Sequence, residues 1–284
     1  MFAVSIWPDG LKINAVAQAV LQGGGCCLEA VERALRFAED RLEDHSTGVG
    51  GAPNAEGEVE LDAAIMEAAT ARIGAVAALK ETHYAISVAR RVMEKSPHML
   101  LVGEGAKAFA RREGFEYFNL LTDESRQAWQ NWKDKQQTSE DSHDTRATIA
   151  IDKNGDLAVG VTTSGLAYKL PGRVGDSPLV GAGFYCLRGI GGAAATGQGE
   201  EAMRICASFQ VVAFMQQGCE PAAACARTLQ KLLEIHPQAA TKQLALVALR
   251  ADGRAGGASL QDGFAYAYAE AQENRMIPVR PFNS

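Results

Sequence analysis

The sequence predicts an α+β protein in which helices cover both faces of a mostly antiparallel β core. Three observations predict it. Strand-like runs come in pairs, at residues 58–67 with 72–79 and at 148–151 with 157–161. Helix-like runs also come in pairs, at 11–22 with 28–43 and at 200–217 with 221–235. The second strand pair is joined by Asn154-Gly155, a strong two-residue hairpin signal.

The elements follow in order. In 28–43, Leu28, Val31, Ala34, Leu35 and Ala38 recur at helical spacing with charged residues between them. The runs 58–67 and 72–79 are rich in Ala, Ile and Val and are joined by a short turn. Residues 84–95 read as a helix that stops before Pro97, because the residue preceding proline is pushed out of the helical region. A short strand at 98–102 and a helix at 104–112 come next. Residues 122–144 are almost entirely polar around Trp129 and Trp132, and read as a short amphipathic turn followed by a linker. After the hairpin come Gly-rich loops, then the two long helices, then closing strands at 243–250, 255–259 and 263–269.

Composition narrows the function classes. The chain has 284 residues, 47 % hydrophobic and 22 % charged, which suits a globular protein of one large or two modest domains. Its 28 Lys and Arg against 34 Asp and Glu give a net charge of −6 without a basic block, which argues against nucleic-acid binding. No apolar run approaches membrane-spanning length. Residues 1–7 lack a basic leader-type segment, so a cytoplasmic protein is expected, or a periplasmic one if a leader has been removed. The six cysteines and five histidines are scattered, so no structural zinc is expected and the cysteines read as buried small hydrophobes. The 29 glycines cluster, at Gly23–Gly25, Gly48–Gly51, Gly181–Gly199 and Gly253–Gly257, as at tight turns or close backbone approaches.

Candidate chemistry gathers after residue 143. Thr145 opens a strand directly after His143-Asp144. If the preceding bond were cut, Thr145 would own a hydroxyl nucleophile and a free α-amine, whose ordinary pKa of ~7.7 suits a base at neutral pH. The Asp144 carboxylate could assist attack of the hydroxyl on its own preceding carbonyl. Thr162-Thr163-Ser164-Gly165 ends the partner strand, and the hairpin brings Thr163 back towards Thr145. In Gly172-Arg173-Val174-Gly175-Asp176-Ser177-Pro178, Arg173 could grip a carboxylate by two parallel hydrogen bonds and Asp176 could accept from an ammonium. Thr196-Gly197-Gln198-Gly199, before a helix, could hold an oxyanion. The chain also changes sign at this point: residues 1–144 hold 15 basic against 23 acidic residues, net −8, and residues 145–284 hold 13 against 11, net +2.

His143-Asp144-Thr145, the Thr162 run, the Arg173 loop and Ala195-Thr196-Gly197 stand in the order and spacing of the glycosylasparaginases, also called aspartylglucosaminidases, among the N-terminal-nucleophile hydrolases. Leu61-Asp62-Ala63, Gly74-Ala75-Val76-Ala77, Ile86-Ser87-Val88-Ala89-Arg90 and Leu101-Val102-Gly103 extend the resemblance over nearly the whole chain. The resemblance implies a single domain, 1–284, folded as a four-layer αββα sandwich. It implies self-cleavage between Asp144 and Thr145 into chains 1–144 and 145–284, and a threonine amidohydrolase acting on the side-chain amide of asparagine, with N4-(β-N-acetylglucosaminyl)-L-asparagine as the best-matching substrate. By the same resemblance Thr145 is the nucleophile, Thr163 assists it, Thr196 and Gly197 form the oxyanion hole, Arg173 binds the α-carboxylate and Asp176 the α-ammonium, and Trp7 and Ser46 line or support the site. No metal or organic cofactor is implied, and the precursor is expected to dimerise, giving two chains of each kind.

Two departures stand in the N-terminal part of that expected site. Asp9, in Ile6-Trp7-Pro8-Asp9-Gly10, occupies a position where the family usually carries phenylalanine, and Val49 one where it tends to carry an aromatic. Both are expected where the leaving group would be sensed. Isoaspartyl dipeptidases and plant-type asparaginases share the nucleophile but usually carry Thr-Gly-Gly and an Ile in the Arg loop, whereas this chain has Thr163-Ser164-Gly165 and Val174. A more remote alternative is nucleotide binding, from Gly103-Glu104-Gly105-Ala106-Lys107-Ala108, a truncated GxGxxA pattern between a strand and a helix.

Overall fold

The computed structural model describes residues 1–7, 9–135 and 145–282. It is an α+β structure with two sheets. In chain order the elements are β1 (Phe2–Ile6), α1 (Gly10–Gln22), α2 (Cys27–Glu39), β2 (Leu61–Glu67), β3 (Ile73–Leu79), α3 (Ala85–Lys95), β4 (Leu100–Val102), α4 (Gly103–Arg112) and α5 (Asp123–Asp134). They continue with β5 (Arg146–Ile151), β6 (Leu157–Thr163), β7 (Phe184–Leu187), β8 (Gly191–Gly197), α6 (Gly199–Arg204), α7 (Ala207–Gln216) and α8 (Pro221–Ile235). After a 3₁₀ turn, β9 (Leu244–Arg250), β10 (Ala255–Ser259), β11 (Ala265–Glu270) and β12 (Glu273–Pro278) close the fold. The larger sheet runs β12-β11-β1-β5-β6-β2-β3-β4 and the smaller β10-β9-β8-β7. Every neighbouring pair of these strands is antiparallel except β3 with β4.

Strand alternation distributes the apolar residues into three cores. One lies between the larger sheet and α1 to α4, with Ile13, Leu35, Ile65, Val76, Ile86 and Phe109. The second lies between the sheets, where Ile149, Val159 and Val161 meet Phe184, Val247 and Leu249. The third lies between the smaller sheet and α7 with α8, through Val211, Phe214, Leu229 and Leu246.

Several expected elements change. The segment from Asp123 to Asp134 is a three-turn helix, not a short turn: Thr122 and Ser125 form a reciprocal cap, and Asp123 and Glu124 favour the positive helix end. It is docked by Trp129 Nε1 donating to Ala55 O at 3.2 Å and by Trp132 stacking on Tyr168 at 4.6 Å. The rest of the expected linker, 136–144, lies outside the described residues. The expected single helix at 200–217 is two helices, because Cys206 takes a left-handed conformation (φ 49°) between them. The helix expected over 28–43 stops at Glu39. Four strands, β1, β7, β8 and β12, were not expected. In β8, Gly191-Gly192-Ala193-Ala194-Ala195-Thr196-Gly197, neither β-branched bulk nor alternation marks a strand, because both faces are buried and need small residues. A Cβ on Gly192 would lie 3.1 Å from both Ile149 Cγ2 and Leu157 Cδ2 of the other sheet. Of the cysteines, Cys27, Cys186 and Cys225 are buried as expected, but Cys26 and Cys206 are exposed and Cys219 partly so.

Glu39 joins three elements. Fully buried at the end of α2, it accepts at Oε1 from Thr162 Oγ1 of β6 (2.6 Å) and from Ile86 N in the first turn of α3 (3.0 Å). Thr162 Oγ1 also shares a hydrogen bond with Thr47 Oγ1 at 3.0 Å. Burial pushes the Glu39 carboxyl from 4.5 up to about 8, against the pull of those hydrogen bonds. As pH rises from about 4.5 to about 8, the unfolded chain therefore ionises Glu39 while the folded chain still holds its proton, and stability falls across that window. Glu39→Gln is expected to flatten this decline in thermal unfolding midpoints measured between about pH 5 and about pH 8. Parallel declines in variant and wild type would show that Glu39 is ionised when folded.

Candidate active site

Three strand ends, two from the larger sheet and one from the smaller, make the site. Thr145 precedes β5, the strand paired with β1 on one side and β6 on the other. Arg146 lies opposite Thr162, so Thr163 ends β6 across from Thr145. Thr196 and Gly197 end β8 of the smaller sheet. Gly197 has φ 104°, and a Cβ there would lie 2.3 Å from Gln243 O, so only glycine fits.

Thr196 is the hub. Its hydroxyl oxygen accepts from Thr145 N at 3.1 Å and from Trp7 Nε1 at 3.0 Å. A hydroxyl has two lone pairs and one proton, so with both lone pairs engaged its proton is left to donate to a third group. Trp7 reaches this point from the end of β1 with a left-handed backbone, φ 69°. The Thr145 hydroxyl shares a hydrogen bond with Ser177 Oγ at 3.2 Å. The expected contact from Thr163 takes another form: its Oγ1 donates to Ser46 O at 3.3 Å and accepts from Gly165 N at 2.9 Å. Thr145, Thr163, Ser177 and Thr196 are all buried.

The loop after β6 carries the charges. Arg173 does not pair with Asp176 three residues on. It makes a two-pronged contact with Glu200, from Nε to Oε1 at 3.0 Å and from Nη2 to Oε2 at 2.8 Å. Its third nitrogen, Nη1, lies in the space left by two glycines, 3.2 Å from a Cβ position on Gly165 and 3.0 Å from one on Gly175. Asp176 is buried, and among the described residues its Oδ2 has no hydrogen-bond partner. Burial pushes its carboxyl from 3.8 up to about 7, with Arg173 pulling it back and Glu200 and Asp62 pushing it further. A buried carboxylate with one open oxygen is ready for a cation. Lys169 lies close by, its ammonium pKa lowered by burial and raised by Asp62 and Glu60. Asp62 occupies the bulge between β2 and β3, where it accepts from Ala78 N at 2.8 Å.

The N-terminal part of the site differs from expectation. Ser46 N and Oγ donate to Asp44 Oδ1 at 3.1 and 2.5 Å, and Asp44 Oδ2 accepts from Arg146 Nε at 2.7 Å. Asp9 is committed to Arg41 (2.7 Å) and Arg146 (3.0 Å) and is not a free sensor of a leaving group. Burial raises its carboxyl, and Arg146 and Arg41 pull it down. Val49 packs against the helix-side core, so it too is engaged elsewhere. His143 and Asp144 lie outside the described residues.

Residue-by-residue reading left several site groups without a role. Ser177 stood in the Arg173 loop unassigned. Asp44, Lys169 and Glu200 were passed over, although Glu200 opens α6 just after the Thr196 turn. Arg146 carried a visible signal: a charge at the head of an otherwise apolar strand must find partners. The Gly103 pattern does begin α4 after β4, but β3 with β4 is the one parallel pair among the described strand ladders, so no dinucleotide-type series surrounds it. Among the described residues, no group of three or more His, Cys, Asp or Glu side chains is placed to hold a metal ion, and no helix is long and apolar enough to cross a membrane.

Comparison with known proteins gives the family. A family model described as asparaginase matches residues 11–278. An N(4)-(beta-N-acetylglucosaminyl)-L-asparaginase of Elizabethkingia miricola is 42 % identical over 281 residues, covering 96 % of this chain and 82 % of the relative. The enzyme of the same name from Mus musculus is 35 % identical, covering 82 % of this chain and 78 % of the relative. A probable isoaspartyl peptidase/L-asparaginase 3 of Arabidopsis thaliana is 32 % identical, covering 95 % and 88 %. On the extent of these matches, the chain belongs to the asparaginase family that includes the glycosylasparaginases.

Proposed function

We propose that this protein is an N-terminal-threonine amidohydrolase that releases aspartate from a side-chain-substituted asparagine, with N4-(β-N-acetylglucosaminyl)-L-asparagine as its substrate. The observation that carries the reading is the double tether of Thr145, its nitrogen on Thr196 and its hydroxyl on Ser177. Those are the two atoms a threonine nucleophile must present, one as base and one as attacking group. The names of the bacterial and mouse relatives support the glycosylated substrate. The three stacked cores support a four-layer αββα sandwich in one domain.

In this reading the chain first cuts itself. Thr145 Oγ attacks the carbonyl carbon of Asp144, the Asp144 carboxylate takes the hydroxyl proton, and the peptide C–N bond breaks as an ester forms. The carboxylate passes that proton to the departing nitrogen, so the Thr145 amine is freed at this step, and water then hydrolyses the ester to free the Thr145 hydroxyl and the Asp144 α-carboxyl. The precursor dimerises and yields two chains 1–144 and two chains 145–284. In turnover, Arg173 Nη1 takes the substrate α-carboxylate and Asp176 Oδ2 the α-ammonium. Glu200, on the other edge of the guanidinium, leaves that end of it available. Thr145 Oγ attacks the side-chain carbonyl carbon while the α-amine takes its proton. The Thr196 hydroxyl proton and the Gly197 backbone stabilise the oxyanion. The amine passes the proton to the leaving nitrogen, the amide C–N bond breaks, and water then releases aspartate from the ester on Thr145. Thr163 assists by holding Ser46 in place.

Aspartate release from GlcNAc-asparagine, asparagine and β-aspartyl dipeptides, measured side by side, tests the substrate. The glycosylated compound is expected to give the highest kcat/KM, and faster turnover of the dipeptides would assign the protein to the isoaspartyl peptidase side of the family. Intact-mass measurement should show fragments 1–144 and 145–284 in the wild type and in Thr145→Ser, and a full-length, inactive chain in Thr145→Ala. A full-length wild type with undiminished activity would overturn the mechanism.

Arg173→Lys replaces a planar fork by a point charge and is expected to raise KM by about tenfold or more, the cost of losing a charged hydrogen bond. An unchanged KM would remove Arg173 from the carboxylate role. Asp176 must be ionised to hold an ammonium, and in the empty site it ionises at about 7. Activity therefore rises with pH: kcat/KM should climb through about pH 7, while the limb in kcat, where the substrate ammonium already favours the carboxylate, lies lower. Coincident limbs would assign the ammonium to another partner.

A further inference from the structure

Three chain segments that bear candidate site residues meet at one buried charge cluster. Trp7 is two residues from Asp9, Ser46 two residues from Asp44, and Thr145 is followed directly by Arg146. Arg146 joins Asp9 to Asp44, and Asp9 also takes Arg41, two residues past the end of α2. Asp9 Oδ2 takes Arg41 Nη1 at 2.7 Å and Arg146 Nε at 3.0 Å, and Asp44 Oδ2 takes Arg146 Nε at 2.7 Å. Asp44 Oδ1 then holds Ser46, whose carbonyl receives the Thr163 hydroxyl. All four charged side chains are at most 13 % exposed.

The cluster lies behind the site, not in it. Successive strand residues face opposite ways. Ala147, next after Arg146, belongs to the core between the sheets, on the face where Thr145 meets Thr196. Arg146 therefore points to the helix side of the larger sheet, beneath the reacting groups. The two buried cations and two buried anions balance, and the exposed Glu43 takes the other edge of Arg41 through Nε and Nη2 at 3.1 and 2.9 Å. Such a network adds little stability over apolar packing. What it adds is direction, since Asp9 Oδ2 and Asp44 Oδ2 converge on Arg146 Nε and Asp44 Oδ1 is left to hold Ser46.

We propose that Asp9, Arg41, Arg146 and Asp44 are positioning residues that act as one unit. From the reverse face of the sheet they hold the segments bearing Trp7, Ser46 and Thr145 in the mutual placement that self-cleavage and turnover need. Asp9 and Arg146 are the halves of a single contact, and this accounts for an acid at a position where the family usually carries phenylalanine. The inference rests on the amidohydrolase reading above and specifies which residues, beyond the reacting ones, set its rate.

The test uses Asp9→Asn, Arg41→Gln and the double variant of the full chain. The readouts are the rate of appearance of the two fragments on denaturing gels, kcat per cleaved chain, KM and thermal midpoint. Arg41→Gln leaves Asp9 paired with Arg146, so a folded variant is retained even if Asp9→Asn folds poorly. Each single change is expected to lower the cleavage rate and kcat by about tenfold or more, since small misplacements of reacting groups carry penalties of that order. KM should stay within about twofold, because Arg173 and Asp176 are untouched. The double variant should fall no further than the worse single one, as for members of one unit. Wild-type cleavage and kcat per cleaved chain in both single variants, with only the thermal midpoint lowered, would reduce the cluster to a packing role and overturn the inference alone. So would a KM effect with kcat unchanged. A wild-type chain that neither cleaves nor releases aspartate would overturn the amidohydrolase reading itself.

Discussion

The close approach of β8 to the larger sheet is the constraint on which the site depends. β8 carries nothing larger than threonine, and Gly192 lies so close to Ile149 and Leu157 that even a Cβ would push them back by a few tenths of an ångström. A bulkier residue would force the sheets apart at a cost of roughly 1–3 kcal/mol for overpacking. The greater consequence would be geometric. Thr196 stands at the end of β8, and its hydroxyl must lie about 3 Å from the Thr145 nitrogen on the facing sheet. The smallness of β8 sets that distance. Thr145, Thr163, Ser177 and Thr196 are buried there, so the hydrogen bonds among them act in a low-dielectric setting.

Burial gives the site its electrostatic character. Asp176 and Lys169 are both shifted towards neutrality by desolvation, and both have an opposite charge near enough to pull them back. Groups in that balance change charge readily when a charged ligand arrives. Arg173 is different, since a guanidinium stays charged. Glu200 neutralises one of its edges and the glycines at 165 and 175 keep the opposite nitrogen uncrowded. Glu39 shows the same desolvation without a site. It joins α2, β6 and α3, burial raises its carboxyl, and the effect falls on stability.

Local pattern made much of this fold legible. α2 and α3 show apolar spacing that only a helix satisfies, and Asn154-Gly155 marked the β5–β6 hairpin that carries Thr145 and Thr163. Two of the missed strands share a cause: β8 is buried on both faces and β1 lies far from its partner in sequence, so each takes its identity from what packs on it. β1 pairs with β11, more than 250 residues away. α5 was misread for a related reason: apart from Ala128 its only apolar residues are two tryptophans, whose partners, Ala55 and Tyr168, lie on distant loops.

The sequence by itself determined the candidate groups and their order: Thr145, Thr163, Arg173, Asp176, Thr196 and Gly197 were all singled out by residue type and spacing. These are local properties, because a nucleophile, a fork and a glycine turn each need a specific side chain at a specific place. Only the tertiary structure decided which group touches which. It put Ser177, not Thr163, on the Thr145 hydroxyl, gave Arg173 to Glu200, and turned Asp9 from a suspected pocket residue into half of a buried ion contact with Arg146. Hydrogen bonds and ion pairs depend on distances of a few tenths of an ångström, and those are set by the packing of two sheets that no local stretch of sequence contains.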